Sequence, residues 1–360
     1  MRINICLFGI ILLLNTGCQT SYNDKYLPDN PRLRERLATP EPGTYLKPAA
    51  YSILVSMDDF LEKRDSIPTP PDWMMDLLTV NLRKTVDTLI RGDSLTVPVR
   101  IYYPDKESME GNHPVTLYLH GGGFILGSVE QYHMMVSKIA RITGQIIVSA
   151  EYRLAPDHPF PAAVLDSYTV LKWLQDHGHE IGADTSAISV MGDSAGGNLA
   201  TVLTLLCRDH GRPQPCCQIL IYPGLTFVES PTPSITYFIE NASRPYVLTK
   251  EFLSKVRNQY AGEDADLRNP YLSPLEARIT PGIPPALIIT AECDPLRDDG
   301  RRYAKKLKEG GVEVEYLEYS GMIHGFMSLH LILKDAVDAM RQIDEFLADK
   351  CYIYDARIQP

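Results

Sequence analysis

Short apolar runs alternate with amphipathic stretches along the middle and last part of the chain, and this spacing predicts alternating strands and helices. Residues 97–103 read as a strand closed by Pro104. Mostly apolar stretches at 115–119, 146–152, 187–191, 219–222, 286–291 and 312–319 read as further strands. Apolar residues return at helical spacing over 160–174, 195–207, 250–260, 297–309 and 331–347. Largely apolar strands separated by helices imply a mostly parallel sheet covered on both faces. The expected fold class is therefore α/β.

The first residues follow a different pattern. Arg2 precedes an apolar run over 5–14, followed by Gly17-Cys18. The run falls short of the roughly 20 residues that a bilayer span needs, and it fits the hydrophobic region of an export signal. The ending Leu14-x-x-Gly17-Cys18 resembles the bacterial lipobox, in which the cysteine is diacylated. That resemblance implies a signal peptide over 1–17 and lipidation of Cys18, hence attachment to a membrane through that lipid. With Gln19 next, it points to an outer-membrane lipoprotein, with a free periplasmic protein as the alternative. Residues 18–48 are polar and carry Pro28, Pro31, Pro40, Pro42 and Pro48, as a tether does. Residues 49–85 hold two stretches at helical spacing, 53–64 and 73–83, around a proline-rich break.

One interval breaks the alternation downstream. The stretch from Tyr222 to Pro284 far exceeds the usual connection of about two to six residues. It includes the helix at 250–260, with Thr249 placed to cap it. An insertion at about 225–280 would lie at the carboxyl end of the sheet, where ligands bind, and together with residues 49–85 it would form a cap.

Composition narrows the function classes. The chain has 360 residues, 44% hydrophobic and 22% charged, with a net charge of −10. Without a Lys/Arg-rich stripe this balance argues against a nucleic-acid partner. No metal-ligand spacing is present. Of the seven cysteines, Cys6 and Cys18 fall in the leader. Cys207, Cys216, Cys217, Cys293 and Cys351 remain, an odd number that admits one or two disulfides or buried thiols. Cys216 and Cys217 read as part of a strand, where neighbouring side chains point apart.

Three motifs carry chemistry. Gly192-Asp-Ser-Ala-Gly-Gly197 contains G-x-S-x-G after an apolar strand and before a helix, the setting of an exposed nucleophile on a sharp turn. The N–H of Ala195, at the start of that helix, faces the substrate side with the positive helix end behind it. His120-Gly-Gly-Gly-Phe124 also follows a strand, and its glycines leave backbone N–H groups free to meet an oxyanion. His120 itself reads as a structural hydrogen-bonding residue. The acid and base come later: chain order leaves His324 and His330, and the glycine-flanked His324 suits a loop that reaches across a pocket. Asp294 stands at the end of a strand, where the third member of a triad belongs, although Asp294-Pro295 also suits a helix cap. Asp298 is the reserve.

Together HGGGF, EYRLAPDHPFPAA (151–163), GDSAGGN, NPYLSPL (269–275), DPLRD and IHGF resemble the hormone-sensitive-lipase-like esterases, bacterial lipase family IV, over about residues 80–348. The resemblance implies an α/β-hydrolase domain over 86–350 with a helical cap. It implies a triad of Ser194, Asp294 and His324, an oxyanion hole of the Gly122, Gly123 and Ala195 N–H groups, and no cofactor. The activity implied is serine carboxylesterase, cleaving short- to medium-chain acyl esters. Deacetylation of an acetylated glycan is the alternative reaction, and a non-catalytic binding protein on the same scaffold is the alternative role. Oligomeric state stays open.

Overall fold

The computed structural model describes residues 82–351 apart from 93–94, 106–111, 230 and 241–246. The leader, the tether with Cys18 and residues 49–81 lie outside the described residues. Eight strands form one sheet in the order β1-β2-β4-β3-β5-β6-β7-β8. They are β1 (Lys84–Arg91), β2 (Thr96–Tyr103), β3 (His113–Leu119), β4 (Ile146–Ala150), β5 (Ala183–Asp193), β6 (Gln218–Ile221), β7 (Ala286–Cys293) and β8 (Val314–Ile323). β1 and β2 pair antiparallel, β2 joins β4 antiparallel, and every other pairing is parallel.

Among the described residues five helices flank the sheet, α1 (Val129–Thr143), α2 (Ala162–His177), α3 (Ala195–Asp209), α5 (Arg297–Glu309) and α6 (Lys334–Cys351), and a shorter one, α4 (Lys250–Val256), lies in the 225–280 insertion. Successive strand residues face opposite layers. In β3, Leu117 faces the core that also holds Leu171 of α2, Leu203 of α3 and Leu307 of α5. Tyr118 turns the other way, into a core shared with α1 and α6 through Ile139 and Ile343. Both faces of the central strands are therefore dry, which is why those strands read as continuous apolar runs.

Two elements escape the sequence reading. β1 is an edge strand with a mostly exposed face, so it lacks a core signature, and it begins at Lys84, inside the stretch assigned to the cap. α1 carries a Ser128 cap whose hydroxyl accepts from the Gln131 N–H, and it ends at the left-handed Gly144. Those two residues were the available signals.

One disulfide with buried thiols falls within expectation, and only the strand placement of Cys216 differs. Cys216 stands at a bend before β6 rather than in a strand, and it is disulfide-bonded to Cys351, the last residue of α6. Cys207, Cys217 and Cys293 form no disulfide among the described residues and are buried.

Candidate active site

Strand β5 delivers Ser194 into a turn that only small neighbours permit. Ser194 has φ 54°, in the left-handed region, and α3 starts at the next residue. A side chain at Gly192 would meet the Gly196 carbonyl oxygen at 2.2 Å, and one at Gly196 would meet the Leu119 carbonyl oxygen at 1.9 Å. The two glycines let β3, β5 and α3 converge beneath the hydroxyl.

Residues distant in sequence meet there. His324 Nε2 lies 3.0 Å from Ser194 Oγ, and its Nδ1 lies 2.7 Å from Asp294 Oδ2. Asp294 is fully buried and His324 nearly so. The second oxygen of Asp294 accepts from the Leu296 N–H at 2.8 Å. The carboxylate thus caps a turn with one oxygen and orients the imidazole with the other. Asp298 is engaged elsewhere, accepting from the Ser234 N–H at 2.8 Å. His330 lies after a short helical turn rather than in a helix, and burial lowers its pKa to about 4. Behind His324, the Tyr222 ring packs at 4.9 Å between centroids.

The glycine-rich turn comes back over the nucleophile. Gly122 and Gly123 have φ of 117° and 64°, and a side chain at Gly122 would strike the Leu126 carbonyl at 2.2 Å. Among the described residues the N–H groups of Gly122, Gly123 and Ala195 donate no hydrogen bond to a protein acceptor. His120 is structural, as expected: its Nδ1 contacts the Gly121 carbonyl at 2.8 Å, its ring stacks on Tyr152 at 4.2 Å, and burial lowers its pKa to about 4.

Asp193 was not given a role from sequence, although it sits inside the serine motif. Its Oδ1 accepts from the Tyr118 hydroxyl at 2.6 Å and the Gly121 N–H at 2.8 Å, and its Oδ2 accepts from Tyr132 at 3.3 Å. One carboxylate therefore ties the glycine turn to the serine turn. The signal available was an acid placed directly after an apolar strand.

Burial pushes the Asp193 carboxyl up to about 6, against the hydrogen bonds that favour its charge. The native state thus holds this proton more tightly than the unfolded chain. Stability contributed by Asp193 falls as pH rises from about 4 to about 6, by about 3 kcal/mol, and is flat above. Asp193→Asn keeps an oxygen for Tyr118 and Gly121, and the Tyr132 hydroxyl can turn to accept from the new amide. Its thermal stability is expected to exceed the wild type at pH 8 and to match it at pH 4. Asp193→Ala orphans the Gly121 N–H and is expected to lower kcat about 10- to 100-fold. Melting curves at the two pH values and ester kinetics check both.

A cavity of about 810 Å³ opens beside Ser194. Phe124, Phe227, Leu253, Val256 and Leu296 give it a largely apolar wall. The 225–280 insertion supplies much of that wall, from a short helical segment at 233–240 and from α4. The Thr249 hydroxyl caps α4 by accepting from the Phe252 N–H at 3.1 Å. A side chain at Gly123 would collide with Val256 at 2.6 Å, so α4 packs directly on the glycine turn.

Residues 116–328 match the family model described as alpha/beta hydrolase fold. The chain belongs to this family. Its motifs and its relatives place it in the hormone-sensitive-lipase-like branch. Esterase LipI of Mycobacterium tuberculosis is 38% identical over 258 residues, 71% of this chain and 79% of that protein. Ethyl acetate hydrolase of Pseudomonas putida is 34% identical over 261 residues, 72% of this chain and 80% of that one. Among solved structures, a hyperthermophilic esterase from Pyrobaculum calidifontis superposes with a TM-score of 0.76 at 36% identity, covering 84% of this chain and 98% of that one. The α/β-hydrolase topology accounts for the position of the site: Ser194, Asp294 and His324 follow the carboxyl ends of β5, β7 and β8.

Proposed function

We propose that Ser194, His324 and Asp294 form the catalytic triad of a serine carboxylesterase acting on short- to medium-chain acyl esters. The protein is a carboxylic ester hydrolase. The observation that carries the residue assignment is the imidazole of His324, which bridges Ser194 Oγ at 3.0 Å and Asp294 Oδ2 at 2.7 Å.

His324 Nε2 takes the serine proton as Ser194 Oγ attacks the ester carbonyl. Asp294 holds Nδ1–H in place, so that Nε2 faces the serine, and stabilises the imidazolium that forms. The developing oxyanion falls to the N–H groups of Gly122, Gly123 and Ala195, each such donor contributing on the order of 3 kcal/mol. Collapse expels the alcohol, which leaves with the proton from His324. Water activated by the same imidazole then releases the acid from Ser194.

The apolar cavity beside Ser194 fits acyl groups well beyond acetate, and ethyl acetate hydrolase among the relatives supports the short-chain end of the range. The expected result with p-nitrophenyl esters is turnover from acetate to octanoate, falling off toward decanoate. An organophosphonate should stop turnover and add to Ser194 alone, as read by peptide mass spectrometry. A folded protein that neither turns over these esters nor takes the label would overturn the assignment.

For location, the reading is export with lipidation at Cys18, giving a membrane-attached outer-membrane lipoprotein. The leader pattern supports it, and the Cys216–Cys351 disulfide agrees with an oxidising compartment. Radiolabelled palmitate incorporation, lost in Cys18→Ala, tests it.

A further inference from the structure

The disulfide that ties α6 to the start of β6 has a third sulfur beside it. The buried Cys217 Sγ lies 3.4 Å from Cys351 Sγ, and the sulfurs of Cys216, Cys217 and Cys351 all fall within 4.8 Å of one another. A regular strand would send adjacent side chains to opposite faces. The bend at Cys216 instead brings both neighbours to the same cysteine. We propose that Cys216, Cys217 and Cys351 form a thiol–disulfide exchange site, open at Cys216 to low-molecular-weight disulfides.

The step is balanced within the protein. The Cys217 thiol loses its proton and its sulfur attacks Cys351 Sγ. The bond between Cys351 and Cys216 breaks, and the electron pair leaves on Cys216, which takes up a proton. One disulfide and one thiol stand on each side, so the exchange needs neither oxidant nor reductant. The Cys216 thiolate can then attack a small disulfide, forming a mixed disulfide and releasing one small thiolate.

The surroundings of the two thiols differ in a way that favours this use. Burial pushes the Cys217 thiol well above its ordinary value, while Lys350, itself bound to Glu313 and Asp349, pulls toward the thiolate. A sulfur in a disulfide carries no charge, so Cys217 loses nothing by being buried in the exchanged pairing. Cys216 is only half-buried, and exchange moves the free thiol from the interior to solvent. α6 stays tethered to the sheet in either pairing. The site lies at the amino end of β6, whereas Ser194 lies beyond the carboxyl end of β5, so ester hydrolysis reports independently on folding.

The test is iodoacetamide labelling of the oxidised protein followed by peptide mapping without reduction, in wild type and Cys217→Ser. The exchange predicts label on Cys216 together with a Cys217–Cys351 disulfide. Labelling should speed up about tenfold per pH unit between pH 7 and 9, because only the thiolate attacks, and it should vanish in Cys217→Ser. A Cys216→Ser variant that still hydrolyses ester, oxidised with glutathione disulfide, should join Cys217 to Cys351. Wild-type Cys216 that stays unlabelled at pH 9, or that labels equally fast in Cys217→Ser, overturns the proposal. So does an esterase-active Cys216→Ser variant whose Cys351 remains unpaired.

Discussion

Replacing Ser194 by Ala is expected to lower kcat for p-nitrophenyl butyrate by a factor on the order of 10⁵ to 10⁶, with the melting temperature nearly unchanged. The large loss follows from removing the proposed nucleophile, whose hydroxyl lies 3.0 Å from His324 Nε2. The small change in stability follows from how little else the hydroxyl does. It gives α3 no cap hydrogen bond, and the left-handed backbone at φ 54° is held by the surrounding glycines rather than by the side chain. Alanine meets the same backbone strain as serine there. A variant that folds and retains more than about a thousandth of the rate would place the nucleophile elsewhere.

The second large effect is expected from Asp294→Asn, a loss of about 10⁴ in kcat. The wild-type carboxylate accepts twice: from the Leu296 N–H through Oδ1 and from His324 Nδ1 through Oδ2. An asparagine has only one oxygen to offer. If that oxygen keeps Leu296, the amide NH₂ faces Nδ1 and forces the imidazole into the tautomer that carries its proton on Nε2. The nitrogen facing Ser194 could then no longer accept the serine proton. If the oxygen keeps His324 instead, the NH₂ opposes the Leu296 N–H and the turn opens. Either arrangement disables the base, and the two are told apart by stability: only the second lowers the melting temperature. Activity measured across pH 6 to 9 and calorimetry on the same samples check the prediction.

Much of this architecture is legible without coordinates because the central strands are buried on both faces. A strand such as β4, buried at every position, reads as an apolar run wherever it is met. β1 gives no such signal, since it lies at the sheet edge with most of its side chains in solvent. The serine turn and the glycine turn are legible for a different reason. Their backbone geometry admits no side chain at Gly122, Gly192 or Gly196, so the constraint is written as glycine in the chain itself.

The sequence ranked Asp294 ahead of Asp298, and the packing shows what each acid holds. Asp294, Asp298 and Asp299 follow the same strand with the same chemistry. Only Asp294 reaches His324; Asp298 serves the Ser234 N–H and Asp299 the Leu225 N–H. Asp193 looks like an incidental motif residue until Tyr118, Gly121 and Tyr132 are found converging on it. The pairing of Cys216 with Cys351, and the approach of Cys217 to the same sulfur, depend on where α6 ends against the start of β6.

The sequence alone therefore determined the α/β class, the order of the chemistry-bearing motifs and the proposed nucleophile, because apolar periodicity and glycine placement are local constraints. The partners of Asp193, Asp298 and Asp299, and the sulfur that Cys216 and Cys217 share, were decided only by the tertiary structure. Those contacts join residues far apart in the chain, and distances of about 3 Å are set by how whole layers pack rather than by any neighbouring residue.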